Sequence, residues 1–364
     1  MTVPVAAPAQ RALLVGVDLG DKRAPLAPEF AEFAALVRAA GAEIAGEVIQ
    51  KLPHVDPATL VGSGKAREIA DIARDLRADV VFVFNDLRPR QRTNLEKIVP
   101  LPIVDRTMLI LDIFAQHARS REGQLQVELA QLRYRQSNLI GVGADLSRLG
   151  GGVGTRGPGE TKLEVDRRKI QQRVSLLTAQ LEEVRKQRQT RRAGGGRDPY
   201  VALVGYTNVG KSSLLNRLAG IDPARANAAF VADQPFATLD PTLRRAYIAE
   251  GRNVRLADTV GFITALPKEL INAFRATLEE LDVADLLVHV MDASNPDWPR
   301  QRESVETILR DLGLDEKPTI LAFNKIDRLD PAARAALPAD TIDVSARTGD
   351  GLDRLRAAIA ERLP

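Results

Sequence analysis

The stretch that decides the fold is Gly205-Tyr206-Thr207-Asn208-Val209-Gly210-Lys211-Ser212. It fits the pattern of glycine, any four residues, glycine, lysine and serine, in which backbone amides and a helix N-terminus face phosphate groups. The apolar run from Tyr200 to Val204 precedes it, and the helix-favouring run from Ser213 to Leu218 follows it, so the motif has the strand–loop–helix context that it requires. The loop predicts a bound nucleoside triphosphate, with Lys211 on the β- and γ-phosphates and Ser212 on Mg²⁺.

Three later motifs, each directly after an apolar run that predicts a strand, complete this site. They are Asp258-Thr259-Val260-Gly261, Asn324-Lys325-Ile326-Asp327 and Ser345-Ala346-Arg347. The carboxylate of Asp258 suits the magnesium shell, and the amide of Gly261 can meet the γ-phosphate. The Asp327 carboxylate can accept from the ring N–H and the amino group of guanine, a pattern that adenine lacks. The backbone at 345–347 can contact the same base. Since Asp327 selects guanine over adenine, the motifs predict GTP as the substrate.

A further segment between the phosphate loop and Asp258 has the features of a nucleotide-sensing switch. It is Phe236-Ala237-Thr238-Leu239-Asp240-Pro241-Thr242. A threonine here is expected to reach Mg²⁺ only when the γ-phosphate is present. Thr238 is preferred to Thr242, although either could merely cap a turn. We expect residues 236–240 to contact GTP, and we assign the catalytic roles to Lys211, Thr238 and Gly261.

Two side chains bear on how fast GTP is hydrolysed. Phe262 follows Gly261, where many regulatory GTPases place a glutamine that orients water, and phenylalanine cannot orient water by hydrogen bonding. Slow turnover alone and stimulation by a partner are therefore expected. Asn208 could support a K⁺ ion beside the phosphates, or it could only brace the loop; the sequence leaves both open.

The composition sets the class of protein. The chain has 364 residues, more than one hydrophobic core usually serves, with 45% hydrophobic and 27% charged residues and a net charge of +3. It has no cysteine, and no apolar run approaches the roughly 20 residues that span a bilayer. We expect a cytoplasmic monomer without a membrane span.

The alternation of predicted strands and helices indicates an α/β fold in three parts. Residues 1–118 are predicted to form an α/β domain with a parallel sheet, and residues 197–364 a doubly wound P-loop GTPase domain. Between them, 119–196 are predicted to form a helical hairpin with a glycine-rich loop and a linker, its helices at Glu122–Gln136 and Glu160–Arg192. Apolar residues recur at helical spacing on the second helix, at Leu163, Ile170, Val174, Leu177 and Leu181.

Two weaker signals have competing interpretations. Val61-Gly62-Ser63-Gly64-Lys65 resembles a second phosphate loop, but Thr59 replaces its first glycine and Ala66 its hydroxyl, so a turn at a helix start is favoured over nucleotide binding. Basic residues of the middle segment could contact the phosphates of structured RNA or lie on solvated helix faces beside acidic partners. They are Arg119, Arg121, Arg133, Arg135, Arg156, Arg167, Arg168, Lys169, Arg173, Arg185, Lys186, Arg188, Arg191 and Arg192.

With these motifs in place, the whole chain resembles the HflX GTPases, a ribosome-associated family. The resemblance rests on the GTPase motifs, on Gly151-Gly152-Val153-Gly154-Thr155-Arg156-Gly157-Pro158-Gly159, on Val61–Lys65, on the 236–242 segment and on Phe262. It implies binding to the large ribosomal subunit and its ribosomal RNA, with a role in splitting or rescue of stalled ribosomes or in biogenesis. Gln136-Ser137-Asn138-Leu139 departs from the Pro-Arg-Leu ending common in that family. A switch that gates a first-segment enzyme and a signalling switch with protein partners remain alternatives.

Overall fold

The computed structural model describes residues 9–20, 26–149, 158–193, 198–221, 235–236, 240–249, 252–264 and 281–363. The chain divides into two compact units. The first comprises Met1–Gln116 and Leu125–Glu182, and the second comprises His117–Gln124 and Glu183–Pro364.

The first unit contains a four-stranded sheet in which every pairing is parallel. Its strands are β1 (Arg11–Asp18), β2 (Glu43–Lys51), β3 (Val80–Val83) and β4 (Ile103–Asp105), in the order β2-β1-β3-β4. The helices between and after them are α1 (Leu26–Ala39), α2 (Ser63–Asp75), α3 (Pro89–Ile98) and α4 (Arg106–His117). The predicted parallel sheet with crossover helices is confirmed.

The core of this sheet explains why its two inner strands, β1 and β3, are largely continuous apolar runs. Helices cover a parallel sheet on both faces, so both sides of an inner strand are buried. In β3 all four residues are buried, and in β1 burial extends from Ala12 to Val17. At the end of the sheet, the side chain of Asn85 accepts from the Val17 N–H at 2.8 Å and donates to its carbonyl at 3.2 Å, which fastens β3 to β1.

Two long helices follow, α5 (Arg121–Leu149) and α6 (Pro158–Ala193). Their contacts in the first unit run antiparallel, because Arg173 pairs with Glu128 at 2.7 Å and Gln136 donates to Gln171 at 2.6 Å. Buried Val174, Leu177 and Leu181 form the apolar face that the spacing predicts. The first helix was predicted to end at Gln136 and is longer. The glycine-rich loop with Arg156 lies outside the described residues, except that Pro158 and Gly159 begin α6.

The second unit contains a six-stranded sheet with a single antiparallel pairing among its described strands. The strands are β5 (Tyr200–Gly205), β6 (Thr242–Ala249), β7 (Arg252–Asp258), β8 (Leu286–Asp292), β9 (Thr319–Asn324) and β10 (Ile342–Asp343), in the order β10-β9-β8-β5-β7-β6. The named helices of this part are α7 (Lys211–Leu218), α8 (Trp298–Asp311), α9 (Pro331–Ala335) and α10 (Leu352–Arg362), with a 3₁₀ turn at Ile326–Arg328. The doubly wound α/β fold predicted here is confirmed.

The strand β6 was not predicted. It pairs antiparallel with β7 at the edge of the sheet, and its exposed residues include Leu243, Arg245 and Tyr247. An edge strand with one exposed face carries a weak apolar signal, because only alternate side chains are buried. In β6 the buried side chains are Ala246 and Ile248.

No helix within the described ranges has the length and the apolar character needed to cross a membrane.

The central strand β8 contains a buried histidine, which makes stability depend on pH. His289 is 1% exposed, and burial lowers its pKa from 6.5 to about 4, with Arg302 acting in the same direction and Glu306 against it. Between pH 6.5 and 4 the unfolded chain binds a proton that the folded protein does not, so the free energy of unfolding falls as pH falls through this window. At pH 4 this difference in proton binding lowers the free energy of unfolding by about 3 kcal/mol.

We expect His289→Leu to flatten this part of the pH dependence, measured by denaturant unfolding between pH 4 and 7. Trp298 is the single tryptophan of the chain and packs edge-on against Phe323 in the same unit, so its fluorescence reports the relevant transition. The matched control is His54→Gln at an exposed position. Equal pH slopes in the wild type and in His289→Leu would contradict the prediction.

Candidate nucleotide site

The phosphate loop connects β5 to α7 and is held in an unusual backbone conformation. Asn208 and Gly210 have φ values of 58° and 93°, in the left-handed region. The amide of Thr207 donates to the Phe262 carbonyl at 2.8 Å, and the amide of Phe262 donates to the Gly205 carbonyl at 3.1 Å. The loop is therefore tied to the chain that follows Gly261, as the predicted convergence of the two motifs requires.

Lys211 is the first residue of α7, and its side chain hydrogen-bonds the backbone of the phosphate loop. Its Nζ donates to the carbonyl of Gly205 at 3.1 Å and to that of Tyr206 at 2.8 Å. Burial lowers the pKa of the Lys211 ammonium from 10.5 to about 8, and the nearby Asp258 carboxylate acts in the opposite direction. A buried, oriented ammonium is suited to phosphate oxygens, which supply the counter-charge that burial otherwise denies it.

Of the residues expected at the metal, Ser212 and Asp258 fit Mg²⁺, and Thr238 lies outside the described residues. The Ser212 hydroxyl donates to Asp258 Oδ2 at 2.5 Å, and Asp258 is fully buried at the end of β7. Mg²⁺ prefers oxygen ligands and takes few from the protein, because phosphates and waters complete its shell. Among the described residues no group of three or more acidic or histidine side chains could hold a metal ion.

Gly261 stands where the two loops approach most closely. A Cβ atom at this position would lie 2.8 Å from Thr207 Cα and 3.1 Å from Lys211 Nζ. A side chain at position 261 would therefore collide with the phosphate loop, and only glycine allows this approach.

The base-recognition motifs line a cavity beside α7. The cavity has a volume of about 480 Å³, and its lining includes Gly210, Asn324, Lys325, Asp327, Ala346 and Arg347. Asp327 Oδ1 accepts from the Ser345 hydroxyl at 2.6 Å, and Oδ2 lies 3.2 Å from Arg347 Nε. The carboxylate is thus held at the cavity, where a guanine edge could meet it.

The same motifs also brace the phosphate loop. The amide group of Asn324 donates to the Val209 carbonyl at 2.8 Å and accepts from the Ala346 amide at 2.9 Å. Lys325 Nζ donates to the Asn208 carbonyl at 2.7 Å. This last bond uses the backbone of Asn208 and is independent of its side chain.

Sequence reasoning missed two residues that support the site. Asp292, at the end of β8, binds Lys325 Nζ at 2.6 Å and so orients the lysine that braces the loop. Arg217 in α7 donates to the carbonyls of Ala346 and Arg347 at 3.0 and 2.8 Å. An acidic residue at the carboxyl end of a parallel strand was a usable signal for Asp292; Arg217 gave none.

The structure describes most of the residues predicted for the nucleotide site, but not all of them. The structure brings together 205–212, 258–261, 324–327 and 345–347, whereas Ala237, Thr238 and Leu239 lie outside the described residues. Phe236 is buried, and the Asp240 carboxylate binds the beginning of α5. Thr242, the less favoured switch threonine, belongs to β6 and pairs with Asp258.

The second, look-alike phosphate loop has a helix-start structure. α2 begins at Ser63, and Lys65 pairs with Glu68 one turn later at 2.7 Å. The Thr59 hydroxyl donates to the Val61 carbonyl at 2.5 Å, closing the turn that precedes the helix. These contacts favour the turn over a nucleotide site.

A phosphate loop, a buried aspartate beside its serine and a base-recognition pair, all at the carboxyl ends of strands in a doubly wound sheet, define a P-loop GTPase. Three family profiles match the chain: "GTP-binding GTPase N-terminal" at 28–115, "GTP-binding GTPase Middle Region" at 117–194 and "50S ribosome-binding GTPase" at 200–325. The chain belongs to the HflX GTPase family and is a GTP-binding hydrolase.

Individual relatives agree with this assignment. The GTPase HflX of Caldanaerobacter subterraneus subsp. tengcongensis is 48% identical over 359 residues, covering 97% of this chain and 81% of the relative. That of Escherichia coli K12 is 47% identical over 342 residues, covering 91% and 78%. A crystal structure described as the SsGBP and GDP complex aligns with a TM-score of 0.51 at 25% identity, covering 97% and 98%.

The position of Asp327 makes base selectivity testable. A carboxylate accepts from both the N1–H and the 2-amino group of guanine, whereas asparagine offers one acceptor and one donor. We expect Asp327→Asn to weaken GTP binding roughly 100-fold and to improve binding of xanthosine triphosphate, whose C2 oxygen accepts from the new amide. Titration calorimetry with both nucleotides measures this.

The control for this experiment is Asp330→Asn, which alters an exposed helix cap nearby. Unchanged GTP affinity in Asp327→Asn would show that Asp327 does not contact the base.

Proposed function

We propose that this GTPase is a nucleotide-gated factor of the large ribosomal subunit, acting in splitting or rescue of stalled ribosomes or in ribosome biogenesis. The observation that carries the proposal is the match of 200–325 to a family described as ribosome-binding. It gains support from the helical region, where exposed basic residues stand on both long helices.

The basic residues divide into two groups. Arg173 pairs with Glu128, as the solvated-face interpretation expects. Arg167, Arg168 and Lys169 are exposed and consecutive near the beginning of α6. A cluster of exposed cations can contact RNA phosphates, which dominate the affinity of such complexes, so we assign these three residues to ribosomal RNA.

Nucleotide gating follows from the parts of the site. Ser212 and Thr238 would hold Mg²⁺, with Asp258 supporting Ser212, and the ion would offset charge on the β- and γ-phosphates. Thr238 and the Gly261 amide would respond to the γ-phosphate, so the conformation around them would differ between GTP and GDP. Lys211 would stabilise the charge that develops during hydrolysis.

Other functions have less support. A gated enzyme in the first unit would need a reactive cluster, and Val61–Lys65 forms a helix start instead. A purely protein-directed signalling switch leaves the exposed cations of α6 without a role. The three-part domain division, the monomeric state and the cytoplasmic location stay predictions.

The proposal is tested by co-sedimentation of the full chain with large ribosomal subunits. We expect binding with a non-hydrolysable GTP analogue to exceed binding with GDP by about ten-fold. Replacing Arg167, Arg168 and Lys169 together with alanine should weaken binding and lower the slope of log K against log salt by about 2.

The matched control replaces Arg67, Arg74 and Lys97 with alanine. These are three exposed cations of the first unit, so the control removes the same charge as the triple variant in α6. It should bind like the wild type, and Lys211→Ala should lose the nucleotide dependence. Absence of nucleotide-dependent pelleting in the wild type would refute the proposed function.

The phenylalanine at position 262 predicts slow hydrolysis by the isolated protein. Phe262 is 2% exposed, so its ring packs inside the domain and presents no polar group to an attacking water. We expect large subunits to accelerate single-turnover hydrolysis by roughly 100-fold or more, since partners of such GTPases supply the missing stabilisation.

Fast turnover by the protein alone would count against that view. The same assay in KCl and in NaCl, at equal ionic strength, tests K⁺ binding near Asn208. Equal rates would leave Asn208 as a brace of the loop.

A further inference from the structure

Asp240 precedes β6, and its carboxylate binds the start of a helix 120 residues earlier in the chain. Oδ2 accepts hydrogen bonds from the backbone amides of Arg119 at 2.8 Å and Ser120 at 2.6 Å. Oδ1 accepts from the Ser120 hydroxyl, and the oxygen of that hydroxyl accepts from the Gly123 amide at 2.9 Å. Together these bonds join a distant carboxylate to the first turn of α5.

The contact satisfies a definite need of the helix. The first amides of a helix have no partner within it, and negative charge is favourable at that end. Ser120 is an ordinary N-cap, because its oxygen binds the amide three residues later. Asp240 binds the amides of Arg119 and Ser120, the two residues before the helix, together with the hydroxyl of the N-cap, and a Cβ at Gly123 would overlap Oδ1 of Asp240. The carboxylate of Asp240 can therefore occupy this place only because residue 123 has no side chain.

On its C-terminal side, Asp240 is followed by a strand that pairs with a residue of the nucleotide site. Two residues later Thr242 begins β6 and pairs with Asp258 on β7. Asp258 in turn accepts from the Ser212 hydroxyl at 2.5 Å. His117–Gln124 lie in the same compact unit as these residues. A short run of bonds thus connects the start of α5 to the residues proposed to hold Mg²⁺.

We propose that Asp240 is a positioning residue that couples the first turn of α5 to the binding of GTP. The inference rests on the proposed role of the 236–240 segment and is independent of ribosome binding. With Asp240 held by the amides of Arg119 and Ser120, the start of β6 is held beside Asp258, which accepts from the Ser212 hydroxyl proposed to bind Mg²⁺. By linkage, GTP strengthens the cap by the same factor as the cap strengthens GTP binding.

The first test is Asp240→Ala in the full chain, without ribosomes. Loss of the cap should weaken binding of a non-hydrolysable GTP analogue about five-fold and change GDP binding by less than about two-fold. Hydrogen exchange of the amides at 118–124 should speed up, and the protection that the analogue confers there should disappear. Asp240→Asn keeps an oxygen acceptor and should retain most of the wild-type behaviour.

The second test disrupts the same contact from the other side. Gly123→Ala raises the intrinsic helix propensity of α5, yet its methyl group displaces the Asp240 carboxylate. We expect the same selective loss of analogue affinity, and no further loss in the double variant, because both changes remove one contact. Asp353→Ala is the control, since Asp353 is a fully exposed acid in the first turn of α10.

Two results would overturn the proposal. One is unchanged analogue affinity in both Asp240→Ala and Gly123→Ala; the other is an equal loss of affinity for the analogue and for GDP, which marks a purely structural contact. Failure of ribosome pelleting would leave these measurements intact, so the two proposals fail separately.

Discussion

The phosphate loop keeps its shape because hydrogen bonds from distant parts of the chain fix its backbone, and the rest of the site depends on that. Asn324 and Lys325 hold the carbonyls of Val209 and Asn208, and Phe262 accepts from Thr207. Left-handed φ at a residue such as Asn208 is unfavourable in isolation and persists where its surroundings over-determine it. The loop is therefore preorganised by the fold, and phosphate binding does not have to supply that order.

The topology of the sheet brings these braces together. Parallel strands carry their carboxyl ends to one edge, so motifs separated widely in sequence meet there. Asp292, Asn324 and Asp258 each occupy the end of a strand and each supports the loop or its serine. This rule explains why the sequence predicts so much of the site: each motif is local, and the fold class alone determines that they converge.

Features without a local signal were not predictable in this way. The contact of Asp240 with Ser120 joins residues 120 positions apart, and neither residue type stands out in its own segment. The strand β6 alternates exposed and buried residues at a sheet edge, so its pattern is faint. The first hairpin helix was predicted to end at Gln136, yet α5 continues to Leu149. The first two depend on contacts between segments that are distant in the sequence.

Phe262 shows how rigidity and catalysis compete for one position. Its amide and carbonyl tie the phosphate loop to the chain after Gly261, and its ring is buried. A glutamine with its side chain in the same place would bury an amide group, which needs hydrogen-bond partners that an apolar pocket lacks. The phenylalanine therefore stabilises the junction between the two loops and leaves the orientation of water to a group outside position 262. The slow hydrolysis proposed for the isolated protein would be the counterpart of this firmly held phosphate loop.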